Sequence, residues 1–188
     1  MTKFGLVVLG AHIGIHIKGE IEKILPEKVL LVEPVPHNVE AIKKNINKLE
    51  GIKIEQVALS DKNETRNFYF VKNTSIDKLK KHWSSGIGSF NKQHLLDHKS
   101  KRFKIEEEDI DKISIEAIRF KDLVDKYNIN QIDKLLVDVE GSEFIILNDI
   151  DLSSINIKKI IFEYKHFDGY QTTGKKLEEI LKKLREDN

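Results

Sequence analysis

Two short stretches of this chain carry the residue types that chemistry needs. The first is Gly10-Ala11-His12-Ile13-Gly14, directly after the apolar run Leu6-Val7-Val8-Leu9. Glycine permits a tight turn and a close backbone approach to a ligand, and a helix starting behind such a turn offers unpaired amides. Two glycines four apart are also what a plain strand-to-helix turn would show. Glu33 adds weight. It closes the apolar run Val29-Leu30-Leu31-Val32, roughly 20 residues beyond the glycine loop, the spacing at which a carboxylate accepts the hydroxyls of a ribose. Its bland alternative is a solvated loop acid.

The second stretch is Asp138-Val139-Glu140-Gly141, which follows Lys134-Leu135-Leu136-Val137. Two carboxylates leaving the end of a buried strand are costly unless paired, hydrated or used. Asp138 is therefore a candidate for orienting a substrate hydroxyl, taking its proton or holding a divalent metal. The alternative is that Asp138 tethers loop amides and Glu140 makes a surface pair. Glu163 ends the run Lys158-Lys159-Ile160-Ile161-Phe162, with His166 shortly after it. Both are candidates for the same edge, His166 as a base near neutral pH. His94 and His98 are four apart but lack the glutamate of the zinc-protease pattern, and are expected to form a solvated face.

These residues need elements to position them. The runs at 6–9, 29–32 and 134–138 are continuous and apolar, as in parallel strands buried on both faces. Helical spacing over 13–25, ended by Pro26, and over 38–49 predicts helices between strands, with a third strand at 52–57. Strand, helix, strand, helix, strand implies crossovers in a parallel sheet. Further on, strands are expected at 67–71, 113–118 and 158–163, and helices at 120–127, 143–148 and 175–185, with Ser142 capping the second of these. Residues 72–112 read as a polar insert or lid centred on Ser84-Ser85-Gly86-Ile87-Gly88-Ser89. No repeat or linker divides the 188 residues, so one domain over 1–188 is expected.

Composition narrows the chemistry. The chain has no cysteine, which excludes disulfides, thiolate zinc sites and cysteine nucleophiles. A formal net charge of +1 gives no strong field toward nucleic acid or an anionic membrane, and neither is expected as a partner. The first apolar run is too short for a span and lacks a cleavage pattern, which predicts a cytoplasmic protein.

His12 stands where a dinucleotide fingerprint needs its second glycine, and a side chain there crowds a pyrophosphate. S-adenosylmethionine has no phosphate and tolerates such a loop. The chain in fact resembles the FkbM-type methyltransferases. The likeness rests on Val7–Gly14, on Val32-Glu33-Pro34-Val35-Pro36-His37-Asn38, on Val57-Ala58-Leu59-Ser60-Asp61, on Leu136-Val137-Asp138-Val139-Glu140-Gly141-Ser142-Glu143-Phe144, and on Ile160-Ile161-Phe162-Glu163.

The resemblance implies an α/β fold: a Rossmann-like class I methyltransferase sheet, mostly parallel, with helices on both faces. The usual C-terminal strand hairpin has no counterpart after Glu163. An exposed sheet edge would then invite cover from a second copy in a homodimer or from the middle strands. The resemblance also implies S-adenosylmethionine held by Gly10, Ala11, His12 and Gly14. Its ribose would lie on Glu33 beside Pro34 and Asn38, its adenine between Ala58 and Leu59, and its reactive end near Asp138. Family members typically methylate hydroxyl oxygens of sugars or secondary metabolites, so a small-molecule or glycan acceptor is expected, with Asp138 and Glu140 facing it and the strand-end candidates Glu163 and His166 nearby. The family usually has Asp where this chain has Val8 and Asn where it has His12. A non-catalytic binding module on the same sheet and a nicotinamide-dependent oxidoreductase remain as alternatives.

Overall fold

The computed structural model describes residues 2–25, 27–80, 82–100, 103–165, 167–168 and 173–186. Its main sheet contains β1 (Thr2–Leu9), β2 (Val29–Val32) and β3 (Ile52–Glu55). The chain then forms β4 (Ala58–Leu59), β5 (Glu64–Val71), β6 (Gly88–Ser89), β7 (Lys99–Ser100), β8 (Phe103–Lys104) and β9 (Ile110–Ile118). It returns to the main sheet with β10 (Ile129–Val137), β11 (Asn156–Ile157) and β12 (Ile160–Phe162). The helices are α1 (Lys18–Ile24), α2 (Pro36–Asn45), α3 (Asn73–Leu79), α4 (Lys92–Leu96), α5 (Phe120–Lys126), α6 (Glu143–Asp149) and α7 (Lys175–Glu186).

The main sheet is six-stranded, ordered β11-β10-β1-β2-β3, with β12 also on β10, and its pairings are parallel. Alternation along β1 explains its two layers of helices. Val7 and Leu9 face a core completed by Leu30, Val32, Leu135 and Val137 with Phe120, Leu123, Ile146 and Ile180 of α5, α6 and α7. Leu6 and Val8 face the other way, onto Leu31 and onto Ile21 and Ile42 of α1 and α2. A strand covered on both sides reads as an unbroken apolar run, as found at 6–9 and 29–32. Val8 is thus part of an apolar layer and is 2% exposed. Helices on both faces of a parallel sheet match the fold class expected. Among the described residues no strand follows Phe162, and no helix is long and apolar enough to cross a membrane.

Several local expectations shift. Helix α1 starts at Lys18 rather than Ile13, because Gly14 has a left-handed φ of 77° and keeps the loop out of helix. The third strand ends at Glu55, and Ala58–Leu59 leaves the main sheet to pair with β9. The described residues of 72–112 form elements, α3, β6, α4, β7, β8 and the start of β9, rather than one long loop. Strands β4, β9, β5 and β6 form a second, four-stranded sheet. Val71, Ile87, Leu95, Ile105 and Ile110 close a small core of their own beside it. Among the described residues the middle strands therefore pair with one another, and none pairs with an edge strand of the main sheet. Ser142 stands at the N-cap of α6, but its side chain makes no capping hydrogen bond.

Strand order reverses between β1 and β10, since the chain runs β1 to β3 on one side and returns to β10 on the other. Ligands of open α/β sheets lie at such a switch, beyond the carboxyl ends of the strands. At that point Gly10, with φ 86°, passes so close to β10 that an added Cβ would lie 1.7 Å from the carbonyl oxygen of Asp138. Gly10→Ala is expected to lower the unfolding free energy by roughly 3 kcal/mol or more. A urea titration measures it, and an unchanged midpoint would mean that the two turns do not pack this tightly.

Candidate active site at the carboxyl edge of the parallel sheet

Register brings the chemical residues into one row. Leu9 pairs with Val32 and with Val137, and Val137 pairs with Phe162. The residue after each strand end therefore falls on a common line: Gly10, Glu33, Asp138 and Glu163. Backbone bonds hold the line, with Gly10 N donating to Val32 O at 3.0 Å, Asp138 N to Leu9 O at 2.9 Å and Glu163 N to Val137 O at 3.1 Å.

Glu33 is 4% exposed. Its Oε1 accepts from the Val35 amide at 3.0 Å and from Asn38 Nδ2 at 3.2 Å, and its Oε2 accepts from the His12 amide at 2.9 Å. A carboxylate has about four acceptor positions, which leaves one on Oε2. Burial pushes Glu33 up to about 7, against the opposing pull of Asn38 and the Val35 and His12 amides. Asn38 and His12 also anchor the second-sheet segment. Asn38 Nδ2 donates to the Ser85 carbonyl at 2.8 Å, and the His12 ring Nε2 lies 2.5 Å from Ser85 Oγ. His12 itself adopts φ 50°, a left-handed turn uncommon without glycine.

The opposite wall is the turn 138–141. Glu143, 1% exposed, fastens it from below: Oε1 accepts from the Val139 amide at 2.9 Å and Oε2 from the Gly141 amide at 3.0 Å. Burial raises its pKa, and those amides oppose the rise. Between the two tethered amides, Glu140 is held at φ 54°. Asp138 is the exposed carboxylate of the row. Glu163 meets Lys165 Nζ at 2.7 Å, and Glu140 Oε2 lies 3.5 Å from the same nitrogen. Burial works against the Lys165 charge, but the bond to Glu163 and the charges of Glu140, Glu163 and Asp138 hold it above the ordinary lysine range.

Between these walls lies a cavity of about 320 Å³, toward the small end of ligand pockets. Of the residues singled out from sequence, Gly10, His12, Glu33, Pro34, Ala58, Leu59, Asp138 and Glu140 line it. Ala11, Gly14, Asn38 and Glu163 stand outside its wall, Asn38 directly behind the Glu33 carboxylate. His166 lies outside the described residues. Sequence reasoning missed the aromatic wall of Phe68 on β5, Trp83 in the turn before β6 and Phe90 just after β6. It also missed the tether made by Glu143, for which the only signal was an acid following Gly-Ser.

His94 and His98 do not form a solvated face. Both are half-buried, and one ligand atom from each lies within 4.8 Å of the other and of a Glu140 oxygen. Leu95, buried between them in the small core, draws this helix inward.

A family model described as the methyltransferase FkbM domain matches residues 10–188. No curated protein and no solved structure matches the chain.

A ligand whose hydroxyl donates to Glu33 would bind with a pH-dependent affinity, because that carboxyl is raised. A ribose hydroxyl donates best to the ionised form, so binding favours proton release. Because the folded value stands above 4.5, the unliganded fold binds the extra proton between pH 4.5 and about 7, and Glu33 lowers its stability as pH rises through that window. Affinity for S-adenosylhomocysteine is expected to fall about tenfold from pH 8 to pH 6, measured by calorimetry. Glu33→Gln should flatten that component; an equal slope in the variant would assign it to another group.

Proposed function

This chain belongs to the FkbM methyltransferase family, and we propose that it uses S-adenosylmethionine to methylate a hydroxyl oxygen on a sugar or related small metabolite. One observation carries this reading. A buried carboxylate with an acceptor position left and an exposed carboxylate on a tethered turn face the same cavity from strand ends either side of the topological switch.

The residues fit the cofactor. Glu33 is suited to a ribose hydroxyl, and the approach of Gly10 to Asp138 leaves no side chain over the first turn. Val57, Ala58 and Leu59 offer an apolar ledge for a flat base. When bound, S-adenosylmethionine supplies a methyl group on a positively charged sulfur. The protein's part is alignment, which can account for a large share of such a rate. Asp138 orients the acceptor hydroxyl and takes its proton, an alcohol being a poor nucleophile until deprotonated. Glu143 keeps Asp138 in place by fixing the turn that follows it. Phe68, Trp83 and Phe90 give faces against which the C–H surface of a sugar ring can lie.

Asp138→Asn is expected to keep cofactor affinity within about threefold and to lower methyl transfer by about 10² to 10⁴. Glu33→Ala is expected to weaken cofactor affinity more than about tenfold. Calorimetry and transfer of labelled methyl to a panel of hydroxyl acceptors read both. Binding with no transfer to any acceptor would leave a non-catalytic binding module, and unchanged affinity in Glu33→Ala would remove the ribose assignment.

A further inference from the structure

We propose that His94, His98 and Glu140 bind a divalent transition-metal ion of the zinc class at the rim of the cavity. Two imidazoles and a carboxylate, all half-buried, bring one ligand atom each to within 4.8 Å of one another. Zinc bonds of about 2.0–2.1 Å place ligands roughly 3.4 Å apart in a tetrahedron. Small side-chain rotations therefore close the set.

The parts are prepared for ligation. His94 lies in α4 and His98 two residues beyond its end, and the turn between them brings the two ring centroids to 4.8 Å. The Nδ1 of His98 lies 2.8 Å from the His94 carbonyl oxygen, which can only accept. Nδ1 therefore carries the proton, and the lone pair is on Nε2. A bond of this kind fixes tautomer and ring orientation in metal-bound histidines. Glu140 sits at φ 54° between two amides tied to Glu143, so the root of its carboxylate is rigid. A non-glycine residue held in that region, beside a cavity, is strain of the sort found at working sites.

The donor set chooses the metal. Two nitrogens and one oxygen suit zinc, cobalt or nickel, while magnesium and calcium take oxygen ligands. The nearby carboxylates Asp138, Glu143 and Glu163 also come within 4.8 Å of one another, but they offer oxygen alone, and two of the three are held more tightly than Glu140, whose oxygen lies 3.5 Å from Lys165 Nζ. Both Glu143 oxygens accept backbone amides, and Glu163 is paired with Lys165. Three protein ligands leave a coordination position open. Because Glu140 also lines the cavity, the ion would stand at its rim, where an acceptor hydroxyl reaching the metal would be acidified and its proton passed to Asp138. This use rests on the methyl-transfer reading; the metal site itself does not.

The test therefore omits methyl donor and acceptor. The full chain, stripped with a chelator, is titrated with Co(II) and then Zn(II). One equivalent of Co(II) is expected to give a visible absorption band that Zn(II) abolishes. His94→Ala, His98→Ala and Glu140→Gln should each weaken binding more than about tenfold, while Asp138→Asn leaves it unchanged. Circular dichroism identifies any variant that fails to fold, and the remaining variants carry the test. No visible band, binding that survives both histidine changes, or binding lost in Asp138→Asn would overturn the proposal.

Discussion

The contact between Gly10 and the Asp138 carbonyl determines the shape of this protein's working edge. It joins the turns after the first strand and after its parallel neighbour at the point where strand order reverses. Both neighbours of β1 pair with it to its last residue. The two carboxylates that follow them therefore cannot move apart without breaking sheet hydrogen bonds. Geometry that a loop could hold only loosely is here set by strand register, the most rigid device the fold has.

Buried acids do two different jobs on either side of that contact. Glu143 spends both oxygens on amides of its own turn and acts as a structural staple. Glu33 uses three donors, two of them backbone amides, and keeps acceptor capacity in hand. Burial raises both, but only Glu33 faces the cavity. The same residue type at similar burial thus becomes a fastener or a receptor, depending on how many of its lone pairs the backbone claims.

Much of the main sheet was legible because its strands are covered on both faces and so write themselves as unbroken apolar runs. The acid at the second strand end was legible through its spacing from the glycine loop. The middle was not. Its second sheet includes two-residue strands and closes a small core with isolated apolar residues such as Ile87, Leu95 and Ile105, too sparse to show a period. Its aromatic wall was hidden for the same reason, since Phe68 and Phe90 acquire meaning only when β5 and the turn after β6 swing over the first sheet's edge. The histidine pair was visible as a spacing. Its third member arises some way along the chain, and no local pattern links Glu140 to α4.

Trp83, the one tryptophan of the sequence, stands in the cavity wall with 41% of its surface exposed. Indole emission shifts with the polarity around it, so the tryptophan fluorescence of this protein has a single source placed at the cavity wall. Whatever enters the cavity alters the water around that ring, and occupancy is written into the native spectrum without any label.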